Sequence, residues 1–222
     1  MIQQTKKIAN FKPIQALFGG TFDPIHYGHL LPVQSLAKQV GLKEVILLPN
    51  SLPPHRQQPK ASTKHRLAMI KLAIKNNPLF SIDTRELECI TPHNTVKTLL
   101  SFRQQIGAQK SLAFIIGQDS LLSINTWIDW KKILNLCHLL VISRSSYTTY
   151  FSSESMNEWI KQHQIYDPKI LNYKSCGTIY MADTPLLDIS ATKIRERKHN
   201  RKNSKDILPA VVLRYINNHN LY

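Results

Sequence analysis

Short apolar and β-branched runs alternate along the chain with longer stretches in which apolar positions recur every three to four residues. Runs at residues 14–18, 45–48, 80–82, 112–116, 138–142 and 179–181 are too short for buried helices and predict six strands. Between the first two, Leu30, Leu31, Val33, Leu36, Ala37 and Val40 keep helical spacing and stop at Gly41, a residue suited to closing a helix. Similar spacing predicts a helix over residues 63–76, another that takes Thr95 as its N-cap and ends near Gly107, and one around residues 154–164. Strand and helix in alternation predict an α/β fold, a doubly wound parallel sheet with helices on both faces. Ligands bind such sheets at the carboxyl ends of the strands.

Two stretches break the rhythm. Residues 51–62 hold Pro53, Pro54 and Pro59 beside His55 and Arg56 and read as a loop, a candidate flap over a site. Residues 143–177 are polar and aromatic and read as an excursion from the core.

A length of 222 residues with 42% hydrophobic content suffices for one full core. The expected organisation is a single domain over residues 1–222, with its core at about 13–185 and a C-terminal helical portion at about 188–222. No apolar run reaches the ~18 to 20 residues of a membrane span, and residues 1–15 are polar with Lys6, Lys7 and Lys12, so a soluble, cytoplasmic protein is expected. Cys89, Cys137 and Cys176 lie far apart without metal-ligand spacing, which suits a reducing compartment and excludes a disulfide framework.

The formal charge of +15 attracts anionic partners over long range. Between Lys193 and Lys205 seven Lys or Arg face a single Glu, yet no Phe, Tyr or Trp is interleaved to stack on bases. That run therefore reads as a solvated helix end and loop, and no specific nucleic-acid partner is expected.

Candidate chemistry begins where the first strand runs into Gly19, Gly20, Thr21, Phe22, Asp23, Pro24, Ile25, His26, Tyr27, Gly28 and His29, ahead of a helix. In that strand–turn–helix context backbone N–H groups converge on phosphate. Glycines allow close approach of chain to ligand, and His26 and His29 can present imidazoles to one anion. A metal bound by these histidines is the competing reading. It lacks the helical Glu of zinc proteases and a third ligand, so phosphate is preferred. Ser190 is placed to cap a helix whose amides face phosphate oxygens, with Arg195 adding a fixed cation further along. Asp119, after Gly117 at the end of the fourth strand, is placed to accept from a ribose, whereas Trp127 reads by itself as ordinary core.

The run from Gly19 to His29 resembles the T/H-x-G-H motif of the nucleotidyltransferase superfamily, and nearly the whole chain resembles bacterial nicotinate-nucleotide adenylyltransferases. Four further segments carry the likeness: residues 49–56 (P-N-S-L-P-P-H-R), residues 115–119 (I-I-G-Q-D) with Trp127 downstream, residues 142–144, and residues 189–195 (I-S-A-T-K-I-R). The chain departs from the pattern at Asn94 and Ile128, where relatives usually carry aromatic residues.

The resemblance implies a Rossmann-like nucleotidyltransferase fold. It also implies transfer of the adenylyl group of ATP to nicotinate mononucleotide, giving nicotinate adenine dinucleotide and pyrophosphate, a step of NAD biosynthesis. It casts His26, His29 and Arg195 as catalytic, and adds Gly19, Gly20, Thr21, Phe22, Gly117, Asp119, Arg144, Ile189, Ser190 and Thr192 as ATP-binding positions. Arg56, Thr95 and Trp127 become mononucleotide-binding, with Trp127 stacking on the pyridine ring. Mg²⁺ is expected to arrive with ATP, no resident metal site is expected, and no oligomeric state is implied. The same two main motifs also serve nicotinamide mononucleotide, phosphopantetheine or glycerol-phosphate nucleotidyl transfer in the superfamily. Outside enzymes, the alternative is a basic nucleic-acid-binding module.

Overall fold

Seven parallel strands form one sheet in the computed structural model, which describes residues 13–51, 58–88, 94–143 and 153–222. In chain order the elements are β1 (Gln15–Gly20), α1 (Tyr27–Val40), β2 (Val45–Pro49), α2 (Thr63–Ile74), β3 (Phe80–Ile82) and α3 (Thr95–Ile106). They continue with β4 (Leu112–Gly117), α4 (Gln118–Leu122), α5 (Ile133–Leu136), β5 (His138–Ile142) and α6 (Glu154–His163). The last are β6 (Gln164–Ile165), β7 (Ile179–Ala182), α7 (Ala191–His199) and α8 (Ala210–Asn218). The spatial order is β3-β2-β1-β4-β5-β7-β6, so the chain winds outward from β1 in one direction and from β4 in the other.

Side chains alternate across the sheet and feed two apolar layers. Ala16 and Phe18 of β1, Ala113 and Ile115 of β4, and Leu140 and Ile142 of β5 pack with α1, α2, α7 and α8. Leu17, Phe114, Leu139 and Val141 face the other way and pack with α3, α4, α5 and α6. Helices on both faces are what the near-continuous apolar strands require. Among the described residues no helix is long and apolar enough to cross a membrane.

All six predicted strands are present, and α1 closes as its spacing requires, with Gly41 left-handed at φ 77°. Two expectations are corrected. The helix expected at residues 154–164 is present as α6, but the stretch at residues 143–177 is not purely an excursion, because it also contributes the edge strand β6, whose two residues pair with β7. Thr95 does not cap α3: Asn94 takes that position, its side-chain oxygen accepting from the Lys97 amide at 2.8 Å.

At the amino edge of the sheet, away from the carboxyl ends of the strands, His138 is fully buried. Its Nε2 lies 3.1 Å from the Lys174 carbonyl, which can only accept, so the ring proton sits there and the Thr178 hydroxyl donates to Nδ1 at 2.7 Å. Burial pushes this imidazole down to about 4. The unfolded chain therefore binds a proton that the folded chain refuses between pH ~6.5 and ~4, and stability falls as pH drops through that window. Urea unfolding of the wild type relative to His138→Gln should show a loss on the order of 3 kcal/mol from pH 7 to pH 4. A pH-independent difference contradicts this.

Candidate active site

The strand order reverses between β1 and β4, and such a switch point is where open α/β sheets bind ligands, in the crevice at the carboxyl ends of the strands. Gly20 closes β1 there and Gly117 closes β4. The loop leaving β1 is held from below by contacts distant in sequence. Arg66 of α2, only 1% exposed, donates from Nη1 to the Thr21 carbonyl at 2.7 Å and from Nη2 to the Ser51 carbonyl at 3.4 Å. Burial pushes its guanidinium down from the ordinary arginine value, while the Asp23 carboxylate pulls the other way. The buried Asp23 side chain accepts from the amides of Lys60 at 2.7 Å and Ala61 at 3.1 Å and from the Tyr222 hydroxyl at 2.6 Å. Burial, together with Asp23, raises the Tyr222 phenol well above its usual range, so it remains a neutral donor.

Tyr222→Phe removes one donor from a buried carboxylate and leaves the two amides in place. Hydrogen bonds to charged groups are worth about 1.5 to 3 kcal/mol. The urea midpoint should fall by an equivalent amount while turnover changes less than tenfold; an unchanged midpoint contradicts the role.

Phe22 follows at φ 49°, its buried ring edge-on to Phe18 at 5.7 Å and to His29 at 5.1 Å. This packing fills the space a Gly20 side chain would need, since a Cβ there would lie 2.8 Å from the Phe22 ring. His26, 2% exposed, sits at the N-cap of α1. Its backbone N–H donates to His29 Nδ1 at 3.3 Å, and an accepting Nδ1 leaves the ring proton on Nε2 of His29. The two imidazoles stack with centroids 3.7 Å apart.

The segment at residues 189–195 packs directly on this loop. A Cβ on Gly28 would approach the Ile189 carbonyl oxygen to 2.9 Å, so only glycine lets the two segments meet. Ser190 caps α7, its Oγ accepting from the Lys193 amide at 3.2 Å. Arg195 donates from Nη1 to the Asp23 carbonyl at 2.7 Å and from Nη2 to Thr192 Oγ1 at 3.2 Å. Two histidines, a helix N-terminus and an arginine thus converge on one crevice.

A model of the cytidylyltransferase-like family matches residues 17–197. A Yersinia enterocolitica chain named "Probable nicotinate-nucleotide adenylyltransferase" is 54% identical, covering 95% of this chain and 96% of its own length. One of the same name from Serratia proteamaculans is 52% identical, covering 94% and 95%. The chain belongs to the nicotinate-nucleotide adenylyltransferase family. Plasmodium falciparum nicotinic acid mononucleotide adenylyltransferase, solved in complex with APC, shares the fold at a TM-score of 0.70, with 20% identity over 95% of this chain and 97% of its own.

Of the other positions suggested by the family pattern, Gly117, Asp119 and Thr95 lie at the same edge of the sheet. Gly117 is the buried N-cap of α4, and Asp119 stands in that helix's first turn. Trp127 is half-buried against the apolar layer of α3 to α6, and Ile128 beside it is 54% exposed. Thr95 opens α3, which follows β3 and whose first turn therefore faces the carboxyl edge. Arg56 and Arg144, and the centre of the candidate flap, lie outside the described residues. Among the described residues no group of three or more His, Cys, Asp or Glu is placed to hold a metal ion.

Sequence reasoning missed Arg66, Tyr222 and the role of Asp23 as the anchor of the loop. It also missed Asn50, whose amide donates to the Gly20 carbonyl at 3.1 Å and whose side-chain oxygen is buried without a partner among the described residues. The Pro-Asn-Ser run at the end of β2 is the available signal, since it marks the carboxyl end of a central strand.

Proposed function

We propose that this chain transfers the adenylyl group of ATP to nicotinate mononucleotide, releasing pyrophosphate. The observation that carries this reading is the meeting of the His26–His29 pair with the α7 N-terminus and Arg195 at the switch point. A crevice with these donors suits a chain of phosphates, and the names of the relatives supply the acceptor.

The mononucleotide phosphate is already ionised near neutral pH, its second pKa being ~6, so the reaction needs no general base. Catalysis is positioning plus charge stabilisation, as in phosphoryl transfer generally. In this reading His29 Nε2–H and His26 meet the ATP phosphates, the first turn of α7 after Ser190 supplies amides, and Arg195 stabilises charge on the departing pyrophosphate. Gly19, Gly20, Thr21 and Phe22 line the phosphate side, held by Arg66 and Asp23. Asp119 accepts from a ribose, Trp127 stacks on the pyridine ring, and the α3 end at Thr95 faces its carboxylate. Mg²⁺ enters as part of MgATP. Arg56 and Arg144 are further candidate phosphate contacts.

In-line attack on the α-phosphorus fixes where each atom goes. With ATP labelled at the α-phosphorus, the label is expected in the dinucleotide and none in the released pyrophosphate. Label in free AMP or in pyrophosphate contradicts adenylyl transfer.

A further inference from the structure

A second concave site lies outside the crevice. A cavity of about 350 Å³ opens between the end of α7, the loop at residues 200–209 and one face of α8. Its floor is apolar, formed by Ile194, Leu208, Leu213, Ile216 and Tyr222, with Ile194, Leu208 and Ile216 each 1% exposed. Its rim carries Lys198, Arg201, Lys202 and Lys205, and no Asp or Glu is among the residues that line it.

Helix capping accounts for only part of this charge. Arg197 and Lys198 lie in the last turn of α7, where cations complement the helix dipole. Arg201, Lys202 and Lys205 lie beyond the helix. Arg201 holds a left-handed backbone at φ 54°, a position glycine or asparagine fills at lower cost. That geometry is fixed by its amide donating to the Lys198 carbonyl at 3.0 Å and the Lys202 amide donating to the Arg197 carbonyl at 2.8 Å. Lys198 reaches across to α8, its Nζ donating to Asn217 Oδ1 at 2.6 Å. The Asn203 side chain accepts from the Lys205 amide at 3.0 Å and so shapes the loop beneath the rim.

An independent observation comes from Ser204, which lines the same cavity. It is only 5% exposed, and its hydroxyl has no hydrogen-bond partner among the described residues. Native chains seldom leave a buried hydroxyl unpaired, because the lost solvation is not recovered. An acceptor entering the cavity would restore that bond.

We propose that this cavity is a binding site for a small phosphorylated metabolite, separate from the adenylyl-transfer crevice. The phosphate is held by Arg201, Lys202 and Lys205 and by the Ser204 hydroxyl, while a less polar body lies on Leu208, Leu213 and Ile216. Charge, apolar floor and size select this class together. A bare anion gains nothing from the floor, and an apolar compound gains nothing from the rim. A cavity of this volume holds one small molecule, and its one aromatic lining residue, Tyr222, is held by Asp23 and is not the row of stacking aromatics that a nucleic-acid strand uses.

Phenyl phosphate, orthophosphate and an RNA oligomer can be titrated separately into ¹⁵N-labelled protein and followed by amide shifts. Phenyl phosphate should give saturable shifts at Ser204, Lys205 and Leu208 and bind more tightly than orthophosphate. The triple variant Arg201→Ser, Lys202→Ser, Lys205→Ser should weaken that affinity at least tenfold while adenylyl transfer stays within a few-fold of wild type. Ser204→Ala keeps every charge and should weaken it by up to about tenfold, the worth of one hydrogen bond. Shifts confined to residues 19–29 and 189–195, shifts that never saturate, or RNA displacing phenyl phosphate would each overturn the proposal. None of these outcomes bears on adenylyl transfer, which the pyrophosphate and label measurements test independently.

Discussion

Replacing His29 by alanine is expected to lower turnover by about 10² to 10³, the usual cost of removing one preorganised donor aimed at developing charge. The ring is held for that task on three sides. It stacks on His26 at 3.7 Å, meets the edge of Phe22 at 5.1 Å, and takes the His26 amide on Nδ1 at 3.3 Å, which leaves Nε2–H as the donor. Folding should suffer much less, because the Asp23, Arg66 and Arg195 contacts that anchor the loop do not involve His29. The check is turnover at saturating MgATP beside a urea midpoint for the same variant. Near wild-type turnover would remove His29 from the mechanism.

Substrate choice should show an effect of similar size, with nicotinate mononucleotide preferred over its amide by a hundredfold or more. The two differ by a carboxylate against a neutral carboxamide, so the site must offer donors where the amide would bring its own NH₂. The first turn of α3 offers backbone amides of this kind, which bind an anion without needing a basic side chain. Asn94 strengthens the case, because its side-chain oxygen already accepts from Lys97 at 2.8 Å, which leaves its NH₂ group as a donor. Two buried donors left facing an NH₂ group cost about 1 to 3 kcal/mol each. Trp127 stacked on the ring would fix the substituent opposite them. Comparing kcat/KM for both mononucleotides under identical MgATP tests this, and an equal or reversed ratio contradicts the helix-end account.

The fold was legible where burial on both faces left one reading. Residues 138–142 are predicted with the bounds that β5 has, since the apolar run Leu139–Ile142, buried throughout, suits little besides a parallel strand. The strand β6 was invisible because two residues carry no period. The α3 cap was misplaced by one residue because Asn94 and Thr95 are both capable caps and only the fold decides between them.

In the crevice, residues 19–29 and 189–195 stood out because each is a local turn-into-helix signal. What holds them together did not, because its partners are remote. Arg66 reaches Thr21 across 45 positions, Arg195 reaches Asp23 across 172, and Tyr222 reaches Asp23 across 199. The run from Lys193 to Lys205 reads as solvated charge, and a linear pattern cannot show that Ser204 is buried beside an apolar floor.

The central claim is adenylyl transfer to a pyridine mononucleotide, and pyrophosphate release tests it most directly. The measurement takes ATP and Mg²⁺ with nicotinate mononucleotide, nicotinamide mononucleotide and phosphopantetheine in parallel. Release is predicted to be fastest with nicotinate mononucleotide, far slower with the amide, and at background with phosphopantetheine. Fast release with phosphopantetheine, or release independent of any acceptor, would contradict the account.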